Sequence, residues 1–288
     1  MAYKELIYEK KDYIATVTLN RPKTLNAMCP PLNDELSLAI AEANADDDVK
    51  VVVFKGAGRA LCAGADLNQV GFVYGWQAPK PGEKSSKPSQ RVRVHFDRKT
   101  FWQQCQDLLL CHKLTVVQAH GHLLGAGLNF FLNADLIVAS EDCKLGHVEE
   151  RLGLAGLTME PMFVLRVGLT KALELSITGK MITGKEAAEI GMINRAVPAD
   201  RLDEEVAELA AGLARYPRDG IALGKVSRHY LYDILGVTQG LTHSYMMHTM
   251  TTNMSFEPDE YNFFKERRDR GVKDAAHGKH DFYKALDK

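Results

Sequence analysis

Near the N-terminus apolar and polar positions alternate with a period of two. ELIYEK and YIATVTLN read as two short strands, the second with Ile14, Thr16 and Thr18 on one face and Ala15, Val17 and Leu19 on the other. Arg21-Pro22 breaks that strand. After Pro30-Pro31 the period changes: Leu32, Leu36, Ile40 and Ala43 recur at helical spacing, and Asp46–Asp48 end the helix. Val49–Lys55, VKVVVFK, is a buried-strand candidate. GAGRALCAGAD then forms a glycine-rich loop, and a helix is expected from Leu67. Phe96–Cys111 predicts a helix, Val116–Ala119 a strand, and GHLLGAG a second loop before a small-residue helix through LNFFLN. Asp135–Ala139 and Cys143–Gly146 predict two further strands. Strand–turn–helix thus recurs around 12–44, 49–72 and 114–133, a repeated ββα-like rhythm rather than a plain Rossmann alternation. Residues 75–91 interrupt it with prolines, lysines and serines, a solvent-exposed excursion that reads as a lid or as disorder. From about residue 160 the pattern is helical. The last 70 residues, rich in Met, His, Tyr and Phe, read as core or subunit interface rather than a cofactor box.

Composition narrows the function classes. The chain has 288 residues, 45% hydrophobic and 25% charged, enough for one large or two modest domains without disulfide or metal staples. Its 36 Lys+Arg against 37 Asp+Glu leave a net charge of −1, which argues against a nonspecific nucleic-acid binder but not against a local phosphate-binding patch. Cys29, Cys62, Cys105, Cys111 and Cys143 are scattered without a CxxC, so reduced thiols in a cytoplasmic protein are expected. MAYKELIYEKK has no apolar core of a signal peptide, and no run approaches the roughly 18 apolar residues of a membrane span.

The chemistry concentrates in the two glycine-rich turns, Gly56–Asp66 and Gly121–Gly127. Each follows an apolar strand, and such turns present backbone N–H groups that can hold negative charge developing on an oxygen, although glycines also serve tight turns alone. GAGRAL lacks the third glycine of a dinucleotide fingerprint, and neither a P-loop nor a GxSxG nucleophile elbow is present. His120-Gly121-His122 with His147 lacks the further ligand spacing of a metal site, so no metal is expected. In Glu149-Glu150-Arg151 one carboxylate can pair with Arg151 and the other can be held in apolar surroundings as a general acid or base; composition leaves both readings open.

Six segments in order resemble the enoyl-CoA hydratase/isomerase (crotonase) superfamily over nearly the whole chain. Asn20–Ala27 matches N-R-P-x-x-x-N-A, and Leu61–Leu67 matches F-x-A-G-x-D-L. Gly121–Gly127 matches G-x-x-x-G-G-G with Ala126 in place of the middle glycine, and Asp135 matches the Asp of the following strand. Leu145–Glu149 matches F-G-x-P-E, and Thr183, Gly184, Ala187, Gly191, Asn194 and Val197 match the family's helix-turn after it.

The resemblance implies an α/β spiral of repeated ββα units over residues 1–204 and a helical C-terminal trimerisation region over 205–288. It implies an acyl-CoA substrate and no prosthetic group, coenzyme A being part of the substrate, with a homo-trimer or hexamer as the assembly. The N–H groups of Ala65 and Ala126 would receive the thioester oxygen. Ordinary 2-enoyl-CoA hydratases carry two glutamates; here the first position is Asn129 and the second Glu149, with the twenty-residue spacing kept. An amide cannot take a proton, so proton transfer falls on Glu149 alone. That suits single-glutamate hydration of a 2-enoyl-CoA; alternatives are Δ3–Δ2 isomerisation, hydrolysis, retro-Claisen cleavage or decarboxylation, and a noncatalytic CoA-binding scaffold. Arg21, Lys23, Lys55, Ala63 and Asp66 near the first loops are coenzyme A candidates, with Arg267 of the C-terminal FKERR segment for its 3′-phosphate. His122 and His147 can line the acyl pocket or pack behind it, and Phe101, Trp102 and Trp76 can supply apolar wall.

Overall fold

The computed structural model describes residues 3–68, 82, 88–157 and 159–287. The strands are β1 (Leu6–Lys11), β2 (Ile14–Leu19), β3 (Val51–Gly56), β4 (Leu114–Ala119), β5 (His122–Leu124), β6 (Leu136–Ser140), β7 (Lys144–Gly146), β8 (Ile182–Thr183) and β9 (Arg195–Val197). A main sheet runs in the order β1-β2-β3-β4-β6-β9, antiparallel only between β1 and β2, and a small sheet runs β5-β7-β8. The helices are α1 (Pro30–Ala45), α2 (Gln90–Asp97), α3 (Gln104–Leu109), α4 (Gly125–Phe131), α5 (Pro161–Thr178), α6 (Gly184–Glu189), α7 (Leu202–Leu213), α8 (Arg218–Ile234), α9 (Val237–Met250), α10 (Phe263–Arg270) and α11 (Val272–Phe282).

The apolar runs of β3, β4 and β6 follow from burial on both faces of a parallel sheet. On one face Phe54, Val117 and Ile137 pack with Leu32, Leu36 and Ile40 of α1 and with Phe130 and Phe131 of α4. On the other, Val51, Val53, Val116 and Val138 meet Leu202, Val206 and Ala210 of α7. The helical stretch from 205 therefore completes the core at its start. At its end, Phe263, Phe264 and Ala275 of α10 and α11 pack on Leu152 and close one side of a cavity.

Several motif residues hold the spiral together. Asn26 sits at φ 55° and its side chain joins three backbones: Oδ1 accepts from Arg21 N at 2.7 Å, and Nδ2 donates to Ala57 O and Ala60 O at 2.9 and 2.8 Å. Asp135 accepts from Thr115 N at 2.8 Å and pairs with the buried Lys225 at 2.9 Å. Thr183 and Glu186 form a reciprocal cap on α6, which two to three residues of strand alone would not hold.

The helix expected over 96–111 is built as α2, a π-helical turn at Arg98–Gln103, and α3. Leu67 and Asn68 form a turn, and the helix expected beyond them, with Trp76 and most of the 75–91 excursion, lies outside the described residues. The five cysteines are buried and free, and burial pushes the Cys62 and Cys143 thiols up to about 12, so both are protonated and unreactive at neutral pH. No helix among the described residues is long and apolar enough to cross a membrane.

Candidate active site

The two glycine loops lie against each other because the first is threaded along β5. Leu61 N donates to His120 O (2.9 Å), Cys62 N to His122 O (2.9 Å), and Leu124 N to Cys62 O (3.0 Å). Gly64 then meets the second loop so closely that a Cβ on it would stand 3.1 Å from Leu124 O and 3.6 Å from Gly125 Cα. Met28 fixes the far side of the first loop, donating to Gly64 O and accepting from Asp66 N at 2.8 Å each. With these bonds made, the N–H groups of Ala65 and Ala126 have no acceptor among the described residues, and both residues line a cavity of about 260 Å³.

Glu149 enters this cavity from a 3-10 turn, Val148–Leu152. Its Oε2 overhangs Gly125, where a Cβ would stand 2.9 Å from it; the glycine at φ 50° makes room for the carboxylate. Its Oε1 receives two long contacts, Asn129 Nδ2 at 3.5 Å and His147 Nδ1 at 3.4 Å. Glu149 Oε2 and Asn129 Oδ1 are buried acceptors with no partner among the described residues. Ala65, Ala126, Asn129 and Glu149, from three separate segments of the chain, thus line one cavity.

The electrostatics follow from burial and pairing. Burial pushes the Glu149 carboxyl up, but the hydrogen bond and charge of His147, with Lys279 beyond, outweigh it and hold the group below the usual carboxylate range. Burial pushes His147 down, yet Glu149, Glu160 and Glu150 raise it above the ordinary imidazole value. His147 is 1% exposed and packs edge-on to Phe163 at 4.6 Å, so it stands behind Glu149 rather than in the cavity wall. The pairing of a glutamate with Arg151 is not what forms. Arg151 pairs with Asp287 and donates to Thr178 O, while Glu150 accepts from Gly156 N at 2.8 Å and Leu157 N at 3.1 Å.

The coenzyme A candidates separate into two groups. Ala63 and Arg267 line the cavity; Arg267 Nη1 donates to Leu67 O at 2.8 Å over the ring of Phe264. Arg21 and Asp66 pair with each other at 3.0 Å, and Arg21 also pairs with Glu5 at 3.0 Å, so this part of the motif braces the loops from outside the cavity lining. Lys23 is exposed on a 3-10 turn and Lys55 is half-buried, both away from the lining residues. His122 is also outside the lining, its imidazole pushed down by burial. No group of three or more His, Cys, Asp or Glu suited to a metal ion stands together among the described residues.

Five polar lining residues were not apparent in the sequence: Glu160, Ser244, His248, Lys279 and His280. Lys279 Nζ donates to Val148 O at 2.9 Å, and burial lowers it to about 8. Burial raises Glu160 to about 7, with the Glu149 charge adding to the rise and His147 opposing it. None belongs to a recognisable motif, and only the folding of distant helices onto the cavity gives each a place.

A sequence model described as enoyl-CoA hydratase/isomerase matches residues 9–275. The chain is 29% identical to a Dictyostelium discoideum protein named "Probable enoyl-CoA hydratase, mitochondrial", over 90% of this chain and 87% of that one. It is 30% identical to a Rhizobium meliloti protein named "Probable enoyl-CoA hydratase", over 78% and 81% of the two chains. Among solved structures, an enoyl-CoA hydratase/isomerase from Xanthobacter autotrophicus Py2 superposes with a TM-score of 0.84 at 26% identity, covering 98% of this chain and 99% of that one. An enoyl-CoA hydratase from Mycobacterium smegmatis gives 0.80 at 27% identity, covering 96% and 94%.

Proposed function

The chain belongs to the enoyl-CoA hydratase/isomerase family, and from that premise we propose that it adds water across the double bond of a 2-enoyl-CoA with Glu149 as the one proton-transferring carboxylate. The observation that carries this reading is the seat of Glu149: one oxygen is unpaired over Gly125, beside two loops whose Ala65 and Ala126 N–H groups are unspent.

In this reading the thioester oxygen accepts from both N–H groups. Water attacks C3 as Glu149 takes its proton, the C2–C3 π electrons move to the thioester oxygen as an enolate, and the proton on Glu149 then passes to C2. The balance is one water added, with Glu149 returned to its starting state. A carboxylate held below the usual range begins ionised, as a base must. One such N–H donor contributes about 2.7–4 kcal/mol to an oxyanion-like transition state in comparable sites. Asn129 Oδ1 accepts a hydrogen bond from the attacking water but moves no proton. Arg267 is the coenzyme A phosphate contact in this scheme, and the chemistry asks for no prosthetic group. The free thiols fit a cytoplasmic setting.

Isomerisation of a 3-enoyl-CoA is the second reading, favoured by the same single carboxylate, which would carry a proton from C2 to C4. A trimer, alone or paired into a hexamer, is the assembly we propose, supported by exposed apolar side chains of α5: Leu165 before the break in the helix at Gly168, and a row of Leu169, Leu173 and Ile177 after it. The test is a panel of 2-enoyl, 3-enoyl and aryl-enoyl CoAs in heavy-oxygen water. A 2-enoyl product gaining one labelled water supports hydration. A 3-enoyl substrate converted without added mass supports isomerisation, and a shortened product supports cleavage. Tight coenzyme A binding with no turnover of any member overturns the enzymatic reading in favour of a scaffold.

A further inference from the structure

The cavity is apolar over much of its wall, with Leu152, Leu154, Leu157 and Phe101 among its lining, yet one strip is polar. Glu160 precedes α5 at its N-cap position, but its side chain accepts no capping bond from the helix. The residue is 5% exposed, lines the cavity, and its carboxyl makes no hydrogen bond or ion pair among the described residues. Burying such a group without a partner is costly unless something in the cavity meets it.

Helix α9 continues the strip. Gly240 packs so tightly on Pro161, the neighbour of Glu160, that a Cβ there would stand 2.1 Å from the proline ring. Ser244 and His248 follow at one and two turns on the same face, roughly 6 and 12 Å along the axis at 1.5 Å per residue, and both line the cavity. The Ser244 hydroxyl has no hydrogen bond among the described residues. The His248 ring is held in place, with Nδ1 3.3 Å from the fully buried Asp97 and its centroid 4.3 Å from that of the Phe101 ring, tilted at 45°.

We infer that the strip Glu160–Ser244–His248 selects an acyl group that carries a hydroxyl on its tail, beyond the reacting carbons. A hydroxyl both donates and accepts, so it can meet the Glu160 carboxyl and the Ser244 hydroxyl at once. Glu160, raised to about 7 by burial, offers both donor and acceptor character near neutrality. A carboxylate tail is disfavoured, because Glu149 and Glu160 already line the cavity. The inference rests on the proposed acyl-CoA function and specifies its substrate class.

Binding separates the two. Saturated hexanoyl-, octanoyl- and decanoyl-CoA and their ω-hydroxyl counterparts do not turn over, so calorimetry reads tail preference independently of catalysis. The wild type is expected to bind the hydroxylated member of at least one pair about five- to tenfold more tightly, the scale of one or two neutral hydrogen bonds. Glu160→Leu and Ser244→Ala should each bring that ratio towards one while affinity for the plain chain holds or rises. If Glu160→Leu does not fold, Ser244→Ala decides. Affinities within twofold for every wild-type pair, or a preference that survives substitution, overturn the inference. Turnover of plain 2-enoyl-CoAs without tail preference would refute the strip and leave the function standing; preference without turnover would do the reverse.

Discussion

Replacing Gly125 with alanine puts one methyl group where the Glu149 carboxylate now sits. The new Cβ would stand 2.9 Å from Oε2, and ordinary contact needs about 3.4 Å, so the carboxylate must withdraw by about half an ångström. A misplacement of 1 Å at a reacting group costs about a hundredfold, so half of that costs roughly tenfold in kcat/KM. The backbone is at φ 50°, where a non-glycine residue costs about 1–2 kcal/mol. In a chain of this size that lowers the melting temperature by about 2–4 °C. Gly236→Ala is the control, since its φ is 72° and nothing lies within 4 Å of the added Cβ. Both variants should lose similar thermal stability. Only Gly125→Ala should lose turnover, followed as disappearance of the conjugated enoyl thioester at saturating and limiting substrate. Wild-type kcat/KM in Gly125→Ala, with the expected melting shift, would refute the placement of Glu149 as the reacting carboxylate.

Three further outcomes follow from the same contacts. His147→Gln removes the positive partner of Glu149 while its burial stays, so the acid limb of the kcat/KM profile moves to higher pH; an unmoved limb contradicts the pairing. For stability the signs are opposite. The depressed Glu149 contributes above the unfolded glutamate value near 4.3 and loses this as pH falls through its folded value. The raised His147 contributes below about 6.5 and loses it as pH rises through its own. The melting difference between wild type and His147→Gln should therefore be largest between about pH 4.3 and 6.5. Lys225→Met leaves Asp135 with Thr115 and the longer contact of Arg228 at 3.4 Å, and should cost about 1–3 kcal/mol in denaturant melts without changing kcat at 25 °C. Leu169→Glu places a charge among the exposed apolar side chains of α5 and should dissociate the proposed trimer in sedimentation equilibrium; a wild type that sediments as a monomer contradicts that assembly.

The central sheet is legible in the sequence because parallel strands buried on both faces are mostly apolar, as in VVVF within VKVVVFK and LIVA within DLIVA. Strands β5, β8 and β9 are not, because two or three residues carry no period of their own; β9 is a strand because Val138–Ser140 of β6 pair with Arg195–Val197. Ala65, Ala126, Asn129 and Glu149 follow from the resemblance of their motifs to the family pattern, and the fold brings all four to one cavity. Arg21 and Asp66 lie in the same motifs, where position alone suggests a ligand contact. Their ion pair spans 45 residues of chain, and no local pattern distinguishes a brace from a contact. Glu160 and Ser244 were invisible for a different reason: each becomes polar lining only when α5 and α9 dock through Gly240 and Pro161, an encounter of elements 79 residues apart (240 − 161).

Glu149→Gln replaces the carboxylate with an amide of the same shape, leaving the two loops and the cavity in place. Measured on the best 2-enoyl-CoA, with acyl-CoA binding read in parallel by calorimetry, kcat should fall by about 10²–10⁴-fold while the substrate still binds. A kcat within a few-fold of the wild type, at undiminished binding, would show that the proton moves through another group and that the single-carboxylate mechanism is wrong.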